Sequence, residues 1–179
     1  MGRESEFQSE LVASGLAAGL HPVVLADEGK KNFRFGSKVA ADAKPYDMAF
    51  VGKNLYIAME LKDADAPRFA FSEIRENQWD GLRTVEERGW PALLVVNFYT
   101  RLTPKQQKEL SEKNPYLNEA YGIPHKVLKR LKAEAHKSVS VIDCRTNAEI
   151  ISIPRVGDDR WDLKGLMNLA RSRAKTPRK

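Results

Sequence analysis

The stretch from Tyr46 to Lys62 constrains the fold of this chain more than any other. It consists of two short apolar runs separated by Gly52-Lys53-Asn54, a turn signal that commonly joins antiparallel strands. Because strand side chains alternate between the faces of a sheet, Glu60 and Lys62 point to the same side of the second run. The sequence therefore predicts a β-hairpin with charged groups on one face.

A third charged residue, Asp47, begins the first run. If the hairpin pairs Asp47 opposite Ala58 or Glu60, the three charged groups share one face, whereas a shift of one residue places Asp47 on the far side. Two adjacent carboxylates repel each other, and a hard cation such as Mg²⁺ or Mn²⁺ bound between them removes this repulsion. Such a metal activates water beside a phosphate, while Lys62 orients the nucleophile and offsets negative charge. We therefore expect Asp47 and Glu60 to be metal ligands in phosphodiester hydrolysis.

The order and spacing of these residues resemble a known signature. Pro45-Tyr46-Asp47, followed after twelve residues by Glu60-Leu61-Lys62, is similar to the PD-(D/E)xK nuclease motif. The sequence over about residues 3–98 resembles Holliday junction resolvases of the RecU and archaeal Hjc type. This resemblance implies an α/β fold with a restriction-endonuclease-like αβββαβ core and a mixed central sheet. It also implies Mg²⁺-dependent cleavage of branched DNA by a homodimer, with Mn²⁺ able to substitute.

The same residues have a simpler interpretation. Charged residues make up 30% of the chain, and alternating charges are common on the solvated face of a hairpin. The number of residues between Asp47 and Glu60 and the order of the flanking elements favour the interpretation as an active site.

A first helix is predicted from Glu4 to Gly19, with Phe7 and Leu11 on its apolar stripe. The resembled nucleases place a glutamate of this helix in the metal cluster. Glu6 and Glu10 are both candidates, and we favour Glu10 because it lies one turn from Phe7. An ordinary solvated glutamate is the alternative for each.

Further core elements follow the hairpin and precede it. His21 to Ala26 is predicted as a short first strand, Ser72 as the N-cap of a helix ending at Arg88, and Trp90 to Phe98 as a central buried strand. Gln78 lies on the inner stripe of that helix. The resembled resolvases carry a glutamine at this place, which implies that Gln78 positions water or a phosphate. A core-boundary amide bonded to the backbone is the alternative.

Positive charge is concentrated in the second half of the chain. The net charge is +6, with −3 over residues 1–100 and +9 over residues 101–179, a distribution that suits a polyanion. We expect DNA-binding groups in the loop after the first strand and on a helix from Pro124 to His136, with solvated surfaces as the alternatives. These groups are Lys30, Lys31, Arg34, Lys38, Lys126, Lys129, Arg130 and Lys132. Tyr116 and Tyr121 are candidates for stacking on unpaired bases, against simple packing.

The chain is expected to form one domain of residues 1–179. Its parts are a core of about residues 3–98, a basic helical insertion of about 102–137, a sheet extension with a C-terminal helix of about 138–172, and a basic tail of 173–179. In the extension, 139–143 and 150–154 are predicted as strands. The single Cys144 excludes an internal disulfide, and neither a membrane-length apolar run nor a signal peptide is recognised, so we expect a cytoplasmic protein.

These observations predict a metal-dependent, structure-specific DNA endonuclease that resolves Holliday junctions. One alternative is another nuclease with the same core, either restriction-type or single-strand specific. A basic DNA-binding module without catalysis is the more distant alternative.

Overall fold

The computed structural model describes residues 3–25 and 44–174 of the chain. A six-stranded sheet with the strand order β1-β2-β3-β5-β6-β8 forms its centre. The elements in chain order are α1 (Arg3–Ala17), β1 (His21–Val24), β2 (Met48–Gly52), β3 (Leu55–Ala64), β4 (Arg68–Ala70), a 3₁₀ turn (Phe71–Glu73), α2 (Glu76–Glu87), β5 (Ala92–Arg101), α3 (Pro104–Leu110), β6 (Tyr116–Pro124), α4 (His125–Ala133), β7 (Ser138–Ser140), α5 (Val141–Thr146), β8 (Ile151–Ile153), β9 (Arg155–Val156), β10 (Arg160–Trp161) and α6 (Lys164–Ala174).

The predicted fold class is confirmed. Strands β3 and β5 are parallel, while the other neighbouring pairs of the central sheet are antiparallel, so the sheet is mixed. The core order of helix, three strands, helix and strand is present as α1, β1, β2, β3, α2 and β5, with only the short β4 and a 3₁₀ turn added before α2. The parallel pair needs the α2 crossover, because parallel neighbours cannot be joined by a tight turn.

The hairpin forms as the sequence predicts. Gly52 pairs with Leu55 and Met48 with Met59, and the turn between the strands places Asn54 in the left-handed region with φ 59°. Asparagine adopts this conformation more readily than most residues. The tight turn fixes the register, and the register decides which side chains face which layer of the protein.

The two faces of the sheet carry different cores. On one face, Met59 and Leu61 of β3 pack with Phe7 and Leu11 of α1, together with residues of α6. On the other face, Ala58 packs beneath α2. Because both faces are covered, the central strands are apolar on both sides, and a polar side chain within them requires a particular explanation.

The predicted helical insertion of about residues 102–137 needs correction. It contains two helices, α3 and α4, and Thr103 caps α3 together with Gln106 in a capping box. Between these helices, however, β6 pairs with β5 along its whole length, from Leu93 opposite Pro124 to Arg101 opposite Tyr116. Pairing with β6 satisfies the backbone hydrogen-bonding groups of β5. The sequence does not predict β6 as a strand because its polar residues do not alternate regularly.

The predicted sheet extension of about residues 138–172 is only partly right. Strand β8 extends the sheet by pairing with β6, and the expected C-terminal helix forms as α6. In contrast, β7 pairs with β4 in a separate two-stranded sheet, and the chain then enters α5. Ser140 caps α5 with Asp143 at the third helical position, a local signal that outweighs the strand propensity of Val139 to Asp143.

The start of α2 also differs from the prediction. Ser72 belongs to the 3₁₀ turn, and the N-cap residue is Arg75, whose backbone amide donates to the side chain of Gln78. Residues 175–179 of the predicted basic tail lie outside the described residues. In the described part of the chain, no helix combines the length and apolar character that crossing a membrane requires.

Candidate active site

The hairpin register brings the two predicted carboxylates together. Met48 pairs with Met59, so Asp47 lies one step beyond the ladder and opposite Glu60, with its amide donating to the Met59 carbonyl at 3.1 Å. Directly opposite residues of antiparallel strands point to the same face, and Lys62 shares that face with Glu60. The arrangement that the sequence analysis required of Asp47, Glu60 and Lys62 is therefore present.

Backbone hydrogen bonding holds Asp47 in place. Its Oδ2 accepts the Leu61 amide at 2.7 Å, and its residue is 3% exposed. Its Oδ1 lies 2.8 Å from Nζ of Lys44. Sequence reasoning missed Lys44 as a site residue, since no strand periodicity relates it to the hairpin, although its spacing of three residues from Asp47 was a usable signal.

Glu60 is completely buried, which is unusual for a glutamate. Its Oε1 accepts a hydrogen bond from Lys62 at 2.7 Å and another from the Gln78 amide. Its Oε2 has no hydrogen-bond partner among residues 3–25 and 44–174. Burial, and after it the nearby Asp47, raise the pKa of this carboxyl to about 7, while Lys62 opposes both effects.

Gln78 has the partner that its position on the apolar stripe requires. Its amide donates to Glu60, and its oxygen accepts the Arg75 amide at 2.9 Å, so the same side chain caps α2 and reaches the site. Helix α2 packs closely against Pro45 because Gly81 has no side chain. A Cβ at this position would overlap the backbone carbonyl of Pro45. The amide of Asn77 adds a hydrogen bond to the Lys44 carbonyl at 3.0 Å.

The favoured first-helix glutamate, Glu10, has hydrogen-bond partners near the end of the described chain. Both carboxylate oxygens of Glu10 accept hydrogen bonds from Arg155, at 2.8 and 3.2 Å, and one also accepts the Trp161 indole at 2.8 Å. Glu6 lines the same cleft as Glu10 on the α1 side of the sheet. The structure thus gives Glu10 a structural partner and does not bring it to the Asp47–Glu60 pair.

Glu4 lies near enough to the site for the charges of Lys62 and Asp47 to act on its carboxylate. Desolvation raises its pKa, Lys62 counteracts this rise, and Asp47 adds to it. The helical pattern could not distinguish Glu4 from Glu6 and Glu10, because the orientation of α1 across the sheet is a long-range property.

The predicted DNA-binding residues have varied surroundings. Lys126 and Arg130 form ion pairs with Glu149 at 2.7 and 2.6 Å, and Lys132 lies 4.6 Å from the centre of the Trp79 ring. Lys129 is exposed on α4. The remaining predicted groups lie outside the described residues, namely Lys30, Lys31, Arg34 and Lys38.

The two tyrosines proposed for base stacking differ in exposure. Tyr116 is 57% exposed, beside Arg101, whereas Tyr121 is 5% exposed and donates its hydroxyl to Glu119. Tyr121 packs against Phe98 in the core. Its ring is therefore a packing element and is closed to a base, because β6 occupies the interior of the sheet.

The donor set suits a hard divalent cation. Asp47 and Glu60 offer carboxylate oxygens, and the Oε2 atom of Glu60 is buried without a partner in the described structure. In those same described ranges, no group of three or more His, Cys, Asp or Glu side chains is arranged as a metal site. The fit thus depends on two carboxylates, with Lys44 and Lys62 as the adjacent cations. The arrangement is a carboxylate–lysine site at the open end of a hairpin in an αβββαβ core.

Comparison with solved structures finds a likeness of fold. The fold is similar to the 1.6 Å structure of Archaeoglobus fulgidus Hjc, a Holliday junction resolvase from an archaeal hyperthermophile. The match has a TM-score of 0.42 and 15% sequence identity, and it covers 68% of this chain and 77% of that one. No family model matches the sequence, and no curated protein does either.

Proposed function

We propose that this protein is a Mg²⁺-dependent, structure-specific DNA endonuclease that resolves four-way junctions by phosphodiester hydrolysis. The observation that carries the proposal is the convergence of Asp47, Glu60 and Lys62 on one face of the hairpin. A fully buried glutamate with an unpartnered oxygen in the described structure is costly for a fold to retain. A site that exists for chemistry accounts for this cost.

Asp47 and Glu60 are the residues that would hold the metal. When bound, Mg²⁺ supplies a Lewis acid for the phosphate and lowers the pKa of a water molecule. The Leu61 amide and Lys44 each bind one oxygen of Asp47, at 2.7 and 2.8 Å respectively, and so fix the orientation of its carboxylate. Gln78 binds Oε1 of Glu60 and so leaves Oε2 for the cation.

We assign a catalytic role to the ammonium group of Lys62. Its side chain is 15% exposed, and its ammonium group reaches the site from the same strand face as Glu60. In this role Lys62 orients the attacking water through a hydrogen bond and offsets the negative charge that develops on the phosphate. Gln78 and Glu4 act by holding the charged groups in position.

A homodimer is part of the proposal. Resolving a four-way junction requires two symmetric cuts, and a twofold dimer supplies one site for each strand. Sedimentation of the protein with and without junction DNA measures this directly. A protein that cleaves both strands while remaining a monomer would refute the dimer.

The decisive experiment compares substrates and variants in Mg²⁺. Wild-type protein is expected to cut a four-way junction in preference to a flap or a linear duplex. Asp47→Asn keeps an oxygen for the Leu61 amide, so it should fold and bind DNA but lose cleavage. Asp65→Asn, at an exposed position just after β3, is the matched control and should cleave normally.

Each failure has a distinct meaning. Equal cutting of linear duplex would replace junction resolution with a general nuclease activity. Salt-dependent DNA binding without cleavage in Mg²⁺ or Mn²⁺ would leave a DNA-binding module and refute catalysis.

A further inference from the structure

A second polar cluster lies on the opposite face of the sheet from Glu60 and Lys62. Asp63 of β3 pairs with Asn97 of β5 across the parallel ladder, and Asn118 of β6 pairs with Tyr99 of β5. Side chains two residues apart on a strand share a face, and paired neighbours do so as well. Asp63, Asn97 and Asn118 therefore converge on the side that α1 covers.

Several acceptor oxygens of this cluster have no hydrogen-bond donor in the described part of the chain. The amide nitrogen of Asn97 donates to Oδ1 of Asp63 at 3.0 Å, which fixes the orientation of the Asn97 amide. Oδ2 of Asp63, Oδ1 of Asn97 and Oδ1 of Asn118 are buried and have no hydrogen-bond partner within residues 3–25 and 44–174. Asn97 as a whole is only 6% exposed. Three buried acceptor oxygens on adjacent strands can serve as ligands of a cation.

A cleft of about 420 Å³ opens beside the two asparagines, and Asp63 adjoins it through its hydrogen bond with Asn97. Asn97 and Asn118 line it together with Glu6, and its other charged groups are Arg3, Glu10, Arg155 and Asp158. The Glu10 and Arg155 charges offset each other in their ion pair at 2.8 Å. Arg3 lies over the ring of Tyr99, 4.8 Å from its centre. Counting Asp63, the acidic groups outnumber the basic ones.

Electrostatics links Asp63 to the first helix. Burial raises the pKa of Asp63, Glu10 and Glu6 add to the rise, and Asn97 and Arg3 oppose it. The carboxylate of Asp63 therefore feels both glutamates of α1. A bound cation would relieve this repulsion.

We infer that this cleft binds a divalent cation of the size of Ca²⁺ through Asp63, Asn97 and Asn118, with Glu6 completing the set from α1. Ca²⁺ accepts six to eight oxygen ligands in flexible geometry and readily takes amide carbonyl oxygens. Mg²⁺ demands a near-octahedral set and retains its water, so the amide-rich cluster favours the larger ion. The site is separate from the Asp47–Glu60 pair because it lies on the other face of the sheet.

The location gives the cation a positioning role. Glu4 and Glu6 are two residues apart on α1, so their side chains leave the helix about 200° apart. A cation that holds Glu6 fixes the first turn of α1 and thereby holds Glu4 close to Lys62. This consequence rests on the proposed nuclease function, whereas the binding itself does not.

Terbium luminescence on the full-length protein tests the binding. Tb³⁺ substitutes for Ca²⁺, and Tyr99 in the cleft and Trp161 beside Glu10 are suitable sensitisers. The double variant Asp47→Asn/Glu60→Gln removes the first site and is expected to bind one Tb³⁺ per chain, with Ca²⁺ competing better than Mg²⁺. Adding Asn118→Leu should weaken binding by at least about tenfold. Asn168→Leu, at an exposed position of α6, is the matched control.

Thermal unfolding supplies a second measurement that does not depend on luminescence. Ca²⁺ should raise the midpoint of the double variant, and a further Asp63→Asn change should abolish the rise. Absence of Tb³⁺ binding in the double variant, unchanged affinity in Asn118→Leu, or equal competition by Mg²⁺ would overturn the inference. Junction cleavage is scored separately, so failure of the nuclease proposal leaves these results interpretable.

Discussion

The burial of Glu60 makes a quantitative prediction about stability and pH. The perturbation is Glu60→Gln, which keeps the shape of the side chain and an oxygen for Lys62 and Gln78 but cannot ionise. In metal-free protein the pKa of Glu60 is raised to about 7, mainly by burial and then by Asp47. The ordinary pKa of a glutamate carboxyl is 4.5.

The sign follows from proton counting. Between these two pKa values the native protein retains a proton that the unfolded chain has released, so stability falls as the pH rises through this window. One proton corresponds to a slope of at most about 1.4 kcal/mol per pH unit, and the full shift amounts to about 3 kcal/mol. Below the unfolded value the effect vanishes, and above about pH 7 it is complete.

Urea unfolding in EDTA at pH 5 and pH 8 measures the difference. From pH 5 to pH 8 the free energy of unfolding should fall by about 3 kcal/mol more in the wild-type protein than in Glu60→Gln. Glu73→Gln, at an exposed position of the 3₁₀ turn, should retain the wild-type loss. Equal pH dependence in wild-type and Glu60→Gln proteins would refute the reasoning, since it would mean that Glu60 is solvated or ionised throughout.

Other predictions concern the surroundings of the site. Gly81→Ala should destabilise the protein by about 1–3 kcal/mol in urea unfolding, because the added methyl group overlaps the backbone of Pro45, and unchanged stability would show that α2 yields easily. Glu4→Gln should lower junction cleavage with little change in stability. Glu10→Gln should instead lower the free energy of unfolding by about 1–3 kcal/mol and leave cleavage per folded molecule unchanged. The reverse pattern would identify Glu10 as the site residue. Burial raises the pKa of Cys144 to about 12, so its thiol should react with a disulfide reagent only after unfolding, and rapid labelling of native protein would contradict its burial.

Local rules account for the parts of the site that the sequence predicted. A period of two places Glu60 and Lys62 on one face of the hairpin from the sequence alone, whereas Asp47 joins them because the short turn sets the register that the structure shows. Gln78 was found because a polar residue on an apolar helical stripe needs a partner, and Glu60 is that partner.

Long-range pairing decided what the sequence left open. Strand β6 was missed because its polar residues Asn118 and Glu119 interrupt the alternation, and only the unpaired edge of β5 explains why it becomes a strand. The same pairing buries Tyr121 and removes it from the candidates for base stacking.

The sequence alone determined the hairpin, the charged face that it carries and the order of the core elements, because periodicity and turn chemistry act between residues close in the chain. Only the tertiary structure placed Glu4 within electrostatic reach of Lys62 and Asp47, added Lys44 to the site and brought Asp63 together with the amides of β5 and β6. Those choices depend on how α1 and the neighbouring strands lie across the sheet. Such contacts join residues distant in sequence, and no local pattern specifies them.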